Sequence, residues 1–364
     1  MFNNKMNILK ALGIIAVVAG HSGTNFFRWF PVYSYHMPLF MFISGYFFHK
    51  EGIFAGIKKK FKKLIIPFLA WNLFYGILIN FLKHYGLVKF GHNLSLKSLF
   101  WEPFTGGWAF VFNGPAWFIG TLFFVQIFYL LLKKCFDDRN YVVLCLCFLL
   151  HLVSLHMAYN GYSAWFYKLG IAIERVLFCL IFYHIGQMYA ICFENRDKFS
   201  LNKLISVFVV NAVVLGFISN HITCNIHQMR FPNHKILLPL LVACTGIYMC
   251  LQLADLLKDK IERESILSYI GENTFSIMMH HQFFFYLFNS VLLLIKELNI
   301  LNLNTFDKSK YLSNIYFRVS AHYPVNDLLY LLVGIFGPLG CVYVVNVLKN
   351  KLRDKKILEI NCFK

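Results

Sequence analysis

The chain has 364 residues, 58% of them apolar and only 14% charged, with a mean hydropathy of +0.57. A soluble domain carries about 25% charged residues and a disordered chain buries far less apolar surface, so both classes are excluded. The formal net charge of +18 invites a nucleic-acid reading. The Lys and Arg, however, sit in short clusters between long apolar runs, as charge does beside a membrane and not on a basic binding face.

A membrane helix needs about 20 apolar residues. Ten runs approach this: 8–27, 32–49, 64–82, 115–132, 141–158, 169–192, 204–222, 235–254, 270–295 and 328–348. They predict an all-α integral membrane protein of about ten transmembrane helices. The first run is preceded by no small-residue cleavage site and reads as a retained helix, not a signal peptide. With the N-terminus inside, 23 of the 35 Lys and Arg fall on inner segments and 11 on outer ones. The bias predicts that both termini are cytoplasmic. The long outer segments 83–114 and 296–327 hold aromatics, Asn and Gly and are expected to cap an outward-facing cavity. Residues 1–348 read as one membrane domain and 349–364 as a short basic cytoplasmic tail. The ten Cys are scattered without a CxxC, which fits small packing residues better than a metal site. No metal is expected.

Ionisable groups inside spans are costly and therefore raise functional hypotheses. In the first span Lys10 and His21 are eleven residues apart. At about 100° per residue they are offset by roughly 20°, which puts a cation and an imidazole on one helix face about 16 Å apart. Asn7 lies on the same side. Taken singly, Lys10 reads as a snorkelling topology signal and His21 as an interhelical hydrogen bonder. His36, early in the second span, is expected at a depth similar to His21, so that both imidazoles face one cavity. The inner segment then carries Lys58, Lys59, Lys60, Lys62 and Lys63 before Pro67.

These residues resemble acyltransferase family 3, integral-membrane enzymes that O-acylate surface carbohydrates. Lys10 and His21 match the family's basic residue and His separated by ten residues. His36-Met-Pro-Leu-Phe40 followed by Ser44-Gly45 matches its His-x-Pro-Leu-Phe and Ser-Gly. Lys60, Lys63, Leu64 and Pro67 match Arg-x-x-Arg before Leu-x-x-Pro, with Lys at both Arg positions; Asn7 stands where many members carry Asp. Trp117-Phe118 and the run Gly271 to His280 resemble further family segments, so that the likeness extends over about 6–348.

The resemblance implies transfer of an acetyl or other short acyl group from cytosolic acyl-CoA, with acetyl-CoA the donor substrate. The acceptor is a hydroxyl of a lipid-linked or polymeric carbohydrate at a bacterial inner membrane. Membrane lipids are the other expected partner, and nucleic acid is not one. His21 is expected to act as general base or as transient acyl acceptor, with His36 as a second polar group. Lys10, Lys60 and Lys63 are expected to meet the CoA phosphates; anionic-lipid contact is the competing account of that cluster. Trp117, Glu174, Arg175 and His280 are the candidates for acceptor binding. Packing or an interfacial belt competes for Trp117, structural pairing for Glu174 and Arg175, and interhelical hydrogen bonding for His280 and His184. His281 reads as a bystander of His280. Trp101, Trp108 and Trp165 are further sugar-stacking candidates, which the belt explains as well. Two other classes compete: a secondary transporter, which predicts internal symmetry not visible here, and a glycan polymerase or flippase.

Overall fold

The computed structural model describes residues 3–23, 30–106, 110–137, 139–161, 168–217, 224–231, 236–300, 303–319 and 324–362. Trp108, Trp165 and the ends of the expected runs 8–27, 204–222 and 235–254 fall outside them. Among the described residues the regular structure is helical, with no strand beyond a single bridge between Asn225 and Arg230.

The chain opens with α1 (Asn4–Ser22), capped by the Asn3 side chain, which accepts from the Met6 N–H at 3.0 Å. Helix α2 (Val32–Tyr46) follows. The next helix starts earlier than expected. Helix α3 (Ile53–Lys60) runs through a wide turn at Phe61–Ile65 into α4 (Ile66–His84), so the basic cluster is helical, not a loop. Pro67 accounts for the wide turn. It has no N–H to donate back, and just before it the Ile66 N–H bonds Phe61, five residues earlier.

The short α5 (Glu102–Thr105) and then α6 (Trp117–Phe136), α7 (Asn140–Tyr159), α8 (Lys168–Met188) and α9 (Leu201–Phe217) come next. The chain continues with α10 (Leu238–Leu257), α11 (Ile266–Glu272), α12 (Thr274–Glu297), α13 (Lys308–Ser313) and α14 (Pro324–Cys362). The last helix continues through residues 349–362, so the described part of the expected basic tail is helical.

Each expected run coincides with a helix. Among the described residues, seven helical stretches are long and apolar enough to cross a membrane: Ile53–His84, Gly114–Phe136, Asn140–Tyr159, Leu169–Phe193, Leu238–Leu257, Thr274–Glu297 and Asp327–Arg353. The protein is therefore a multi-pass membrane protein. Helices α1, α2 and α9 are not among the seven. Lys5, Asn7, Lys10 and His21 dilute the hydropathy of α1, α2 has 15 residues and α9 has 17.

Helix α1 sits at the centre, against α2, α10, α11, α12 and α14. Helices α2 and α8 cross with their backbones touching. A Cβ on Gly45 would stand 1.8 Å from the Tyr183 carbonyl oxygen, and one on Gly186 2.0 Å from that of Phe42. Facing glycines let two helices approach this closely, which a lipid environment favours over side-chain interdigitation. At the N-terminal end of α1, buried Lys5 pairs with Asp255 (2.9 Å) and donates to the Tyr189 hydroxyl (2.9 Å). Asn7 donates to the Ser268 carbonyl (3.0 Å) and hydroxyl (2.9 Å), fastening α1 to α11. At the opposite end an aromatic cap joins the segments near 88–112 and 306–319 to α4 and α12, with Tyr286 and Tyr311 stacked at 5.5 Å.

Candidate active site

Two of the cavities along α1 concern the site, one at its C-terminal end and one beside its middle. Both are walled in part by α2 and by the start of α6.

The cavity at the C-terminal end of α1 has a volume of about 350 Å3, and His21, Tyr33, His36, Trp117, His227 and Arg318 line it. Helix α1 stops at Ser22, so His21 lies in its last turn, nearer the helix end than the expected run 8–27 implied. A helix end leaves carbonyls without intrahelical partners. Three are satisfied here by side chains. The Ser22 hydroxyl donates to Ala19 (3.0 Å), the Tyr33 hydroxyl to Gly20 (2.7 Å) and Arg318 Nη2 to His21 (3.1 Å). The His21 ring packs on His281 at 5.2 Å and meets the edge of Tyr33 at 6.1 Å. Tyr33 in turn meets His36 at 5.3 Å. His36 Nδ1 hydrogen-bonds the Val32 carbonyl. A carbonyl only accepts, so Nδ1 carries the proton and Nε2 of the neutral ring is the basic nitrogen. Four imidazoles gather here, those of His21, His36, His227 and His281, yet among the described residues no group of three metal-ligating side chains has the geometry to hold an ion.

Arg318 is a residue that sequence reasoning missed, having treated it only as an outer-loop charge. Besides His21, its guanidinium reaches Gln282 Oε1 (3.0 Å) and the carbonyls of Ile315 (2.9 Å) and Phe317 (2.8 Å). It lies over the Phe285 ring at 4.3 Å and the Tyr330 ring at 5.3 Å. Burial lowers its pKa to about 10, which still leaves it protonated at neutral pH. Its buried Nε–H has no partner among the described residues.

Arg175 reaches this cavity from behind. It donates from Nε to the His227 carbonyl at 2.9 Å and stacks on Trp117 at 4.8 Å. The His227 ring lies 5.2 Å from Trp117, and burial, then Arg175, hold its pKa down at about 3, so it is neutral. Glu174 does not join them. Adjacent residues on a helix point about 100° apart, and the buried Glu174 carboxylate lines neither cavity and has no hydrogen-bond partner among the described residues. His280 is likewise turned away. It hydrogen-bonds the Tyr75 hydroxyl (2.7 Å) and packs on Trp71 (4.3 Å), facing α4, whereas its neighbour His281 faces His21. Of these two adjacent positions on α12, the one that faces His21 on α1 is His281.

The cavity beside the middle of α1 has a volume of about 430 Å3. Lys10, Lys59, Lys60 and Lys63 line it against two carboxylates, Glu51 and Glu272. Lys59 and Lys60 reach the cavity from the end of α3 and Lys63 from the wide turn. Lys60 pairs with Glu51, as does Lys59 at 3.2 Å. Lys10 lies over the Phe47 ring at 5.6 Å, and Lys63 is exposed. The far end of this cavity is apolar, closed by Ile14, Phe40, Phe118 and Met278. Ser44 lines it as well, while its neighbour Gly45 makes the contact with α8.

The model of the acyltransferase domain family matches residues 3–347. The chain is a member of acyltransferase family 3. The match takes in both cavities and every helix up to the last, so the whole membrane-embedded part of this acyltransferase is family sequence. No curated protein and no solved structure matches the chain.

Proposed function

We propose that this membrane acyltransferase moves an acetyl or other short acyl group from cytosolic acyl-CoA to a hydroxyl of a cell-surface glycan or its lipid-linked precursor. In this reading ten helices span a bacterial inner membrane and both termini are cytoplasmic, as the excess of Lys and Arg on alternate segments favours. The observation that carries the proposal is the arrangement along α1. A lysine-lined cavity and an imidazole-lined cavity stand back to back, with Lys10 and His21 about 16 Å apart on nearly one face.

The lysine cavity opens inward and takes the phosphates of CoA on Lys10, Lys60 and Lys63, with Lys59 beside them. The acceptor enters the other cavity from outside and stacks a sugar ring on Trp117, which Arg175 backs. His21 accepts the proton of the acceptor hydroxyl. The oxygen attacks the thioester carbonyl, the carbon–sulfur bond breaks, and the proton returns to the departing thiolate. His281 and Arg318 hold His21 in position, and the unpartnered Nε–H of Arg318 is available to the oxyanion. His36 Nε2 orients the acceptor. Glu174 and His280 take no part in this reading, since neither lines the two cavities and His280 is hydrogen-bonded to Tyr75.

The test compares surface polysaccharide from cells with the gene, without it, and with His21→Ala, by mass spectrometry. Acetyl esters are expected only in the first. Equal acetylation in all three would overturn the proposal.

A further inference from the structure

The two cavities share no lining residue; on α1 their linings stop at Ile14 and resume at Gly20, about 9 Å along the helix, and on α2 and α6 they come closer. On α2 the lining passes from Met37 in the histidine cavity to Phe40 in the lysine cavity, about 4.5 Å along the helix. On α6 it passes between neighbours, from Trp117 to Phe118. Phe40 and Phe118 meet edge to face, with ring centroids 6.0 Å apart and planes at 60°. On its other side Phe40 lies against the backbone of α1. A Cβ on Gly13 would stand 3.2 Å from both Cε2 and Cζ of the Phe40 ring. The ring is only half-buried. A phenyl group makes no hydrogen bond, so only packing keeps it there, and a rotamer change at an incompletely buried side chain is fast.

We propose that Phe40 determines donor specificity. With Phe118 it forms an aromatic gate, which parts for an acetyl-sized thioester, stops longer acyl chains in the lysine cavity, and keeps water from crossing between the cavities. The inference rests on the acyl-CoA reading above. In transfer, the carbon–sulfur bond breaks as the acceptor oxygen bonds the acyl carbon, and the hydroxyl proton passes by way of His21 to the thiolate. With the gate removed, water takes the acceptor's place, and its oxygen and protons end in a carboxylic acid and free CoA thiol.

The experiment uses the full chain in lipid vesicles with acetyl-, butyryl- or octanoyl-CoA, and measures free thiol with and without native membrane extract as acceptor. A single methylene in an apolar pocket discriminates by about 10-fold or more, so Phe40→Ala is expected to raise the octanoyl-to-acetyl rate ratio at least about 10-fold. It is also expected to release thiol without acceptor. Phe40→Leu should fall between it and the parent. Gly13→Ala, which crowds the ring, should slow acetyl transfer without changing chain-length preference. If Phe40→Ala does not fold, Phe40→Leu and Phe118→Leu carry the test. An unchanged chain-length ratio together with unchanged acceptor-free release in a folded variant would sink the gate while leaving the acyl-CoA reading intact. Absence of thiol release by the parent chain from every donor, with extract present, would instead overturn that reading and the gate with it.

Discussion

The histidine cavity and the lysine cavity are built on the same three helices but held in different ways. Around His21 the chain spends hydrogen bonds from distant segments: Tyr33 from α2 and Arg318 from the segment after α13 both terminate on carbonyls of the last turn of α1. Around Lys60 the charges are exposed or half-exposed, Lys59 and Lys60 pair with Glu51 close by in sequence, and Lys63 stands exposed to solvent. A fixed imidazole suits bond making, where small displacements are costly. A ring of solvated lysines suits capture of a charged donor, where reach matters more than position. Substitutions in the first region should therefore change turnover, and those in the second should change donor affinity.

The largest effect is expected from His21→Ala. Loss of a general base costs about 10²- to 10⁴-fold, so kcat should fall within that range with the donor KM little changed. A drop in KM affinity alone would move His21 out of the chemistry. Arg318→Ala should come next. Hydrogen bonds to a charged group are worth about 1.5–3 kcal/mol, so a fall of roughly 10- to 100-fold in kcat with a lowered melting temperature is expected. Arg318→Lys should recover little of it, because one ammonium cannot serve His21, Gln282, Ile315 and Phe317 together. Full recovery by Lys would mean that charge alone, without the fork, fixes α1. Lys63→Gln should act only on the donor. An exposed charge contributes up to about 1 kcal/mol, so the KM for acyl-CoA should rise no more than about 5-fold, less at high salt, with kcat unchanged.

The two regions also differ in how far the sequence discloses them. The Lys10–His21 spacing needs nothing but helix periodicity, whereas Lys60 and Lys63 are marked by the family resemblance and the helical course of their segment is not. Arg318 lies 297 residues from His21 along the chain, and no local pattern marks it; the one hint is a basic residue on a segment assigned outside. The choice between His280 and His281 depends on the phase of α12, which the break at Asn273 between α11 and α12 sets. The wide turn at Phe61–Ile65 was signalled only by Pro67. All ten expected runs fall on helices, because apolar length is a local property. Where α1 ends is not local, since side chains from α2 and from the segment after α13 satisfy its last carbonyls.

The smallest expected effect runs opposite to the others and separates the two regions most sharply. In the lysine cavity Glu51 occupies the ammonium groups of Lys60 and Lys59. Glu51→Gln removes that competitor, so donor KM should fall, by about 2- to 3-fold, within the range of an exposed ion pair. The hydrogen bond from Lys60 holds the Glu51 carboxyl below its ordinary pKa. A depressed carboxyl keeps its charge as pH falls through the usual carboxylate range and loses it only below that range. The ion pair thus stabilises the fold at neutral pH, and its contribution disappears only in acid. The ratio of donor KM between Glu51→Gln and the parent should accordingly stay constant from about pH 5 to 8. A ratio that closes toward one as the pH drops to 5 would show a carboxyl titrating in that window. The Lys60 pair would then be too weak to set its charge, and the lysine face would be free for donor phosphates without any release from Glu51.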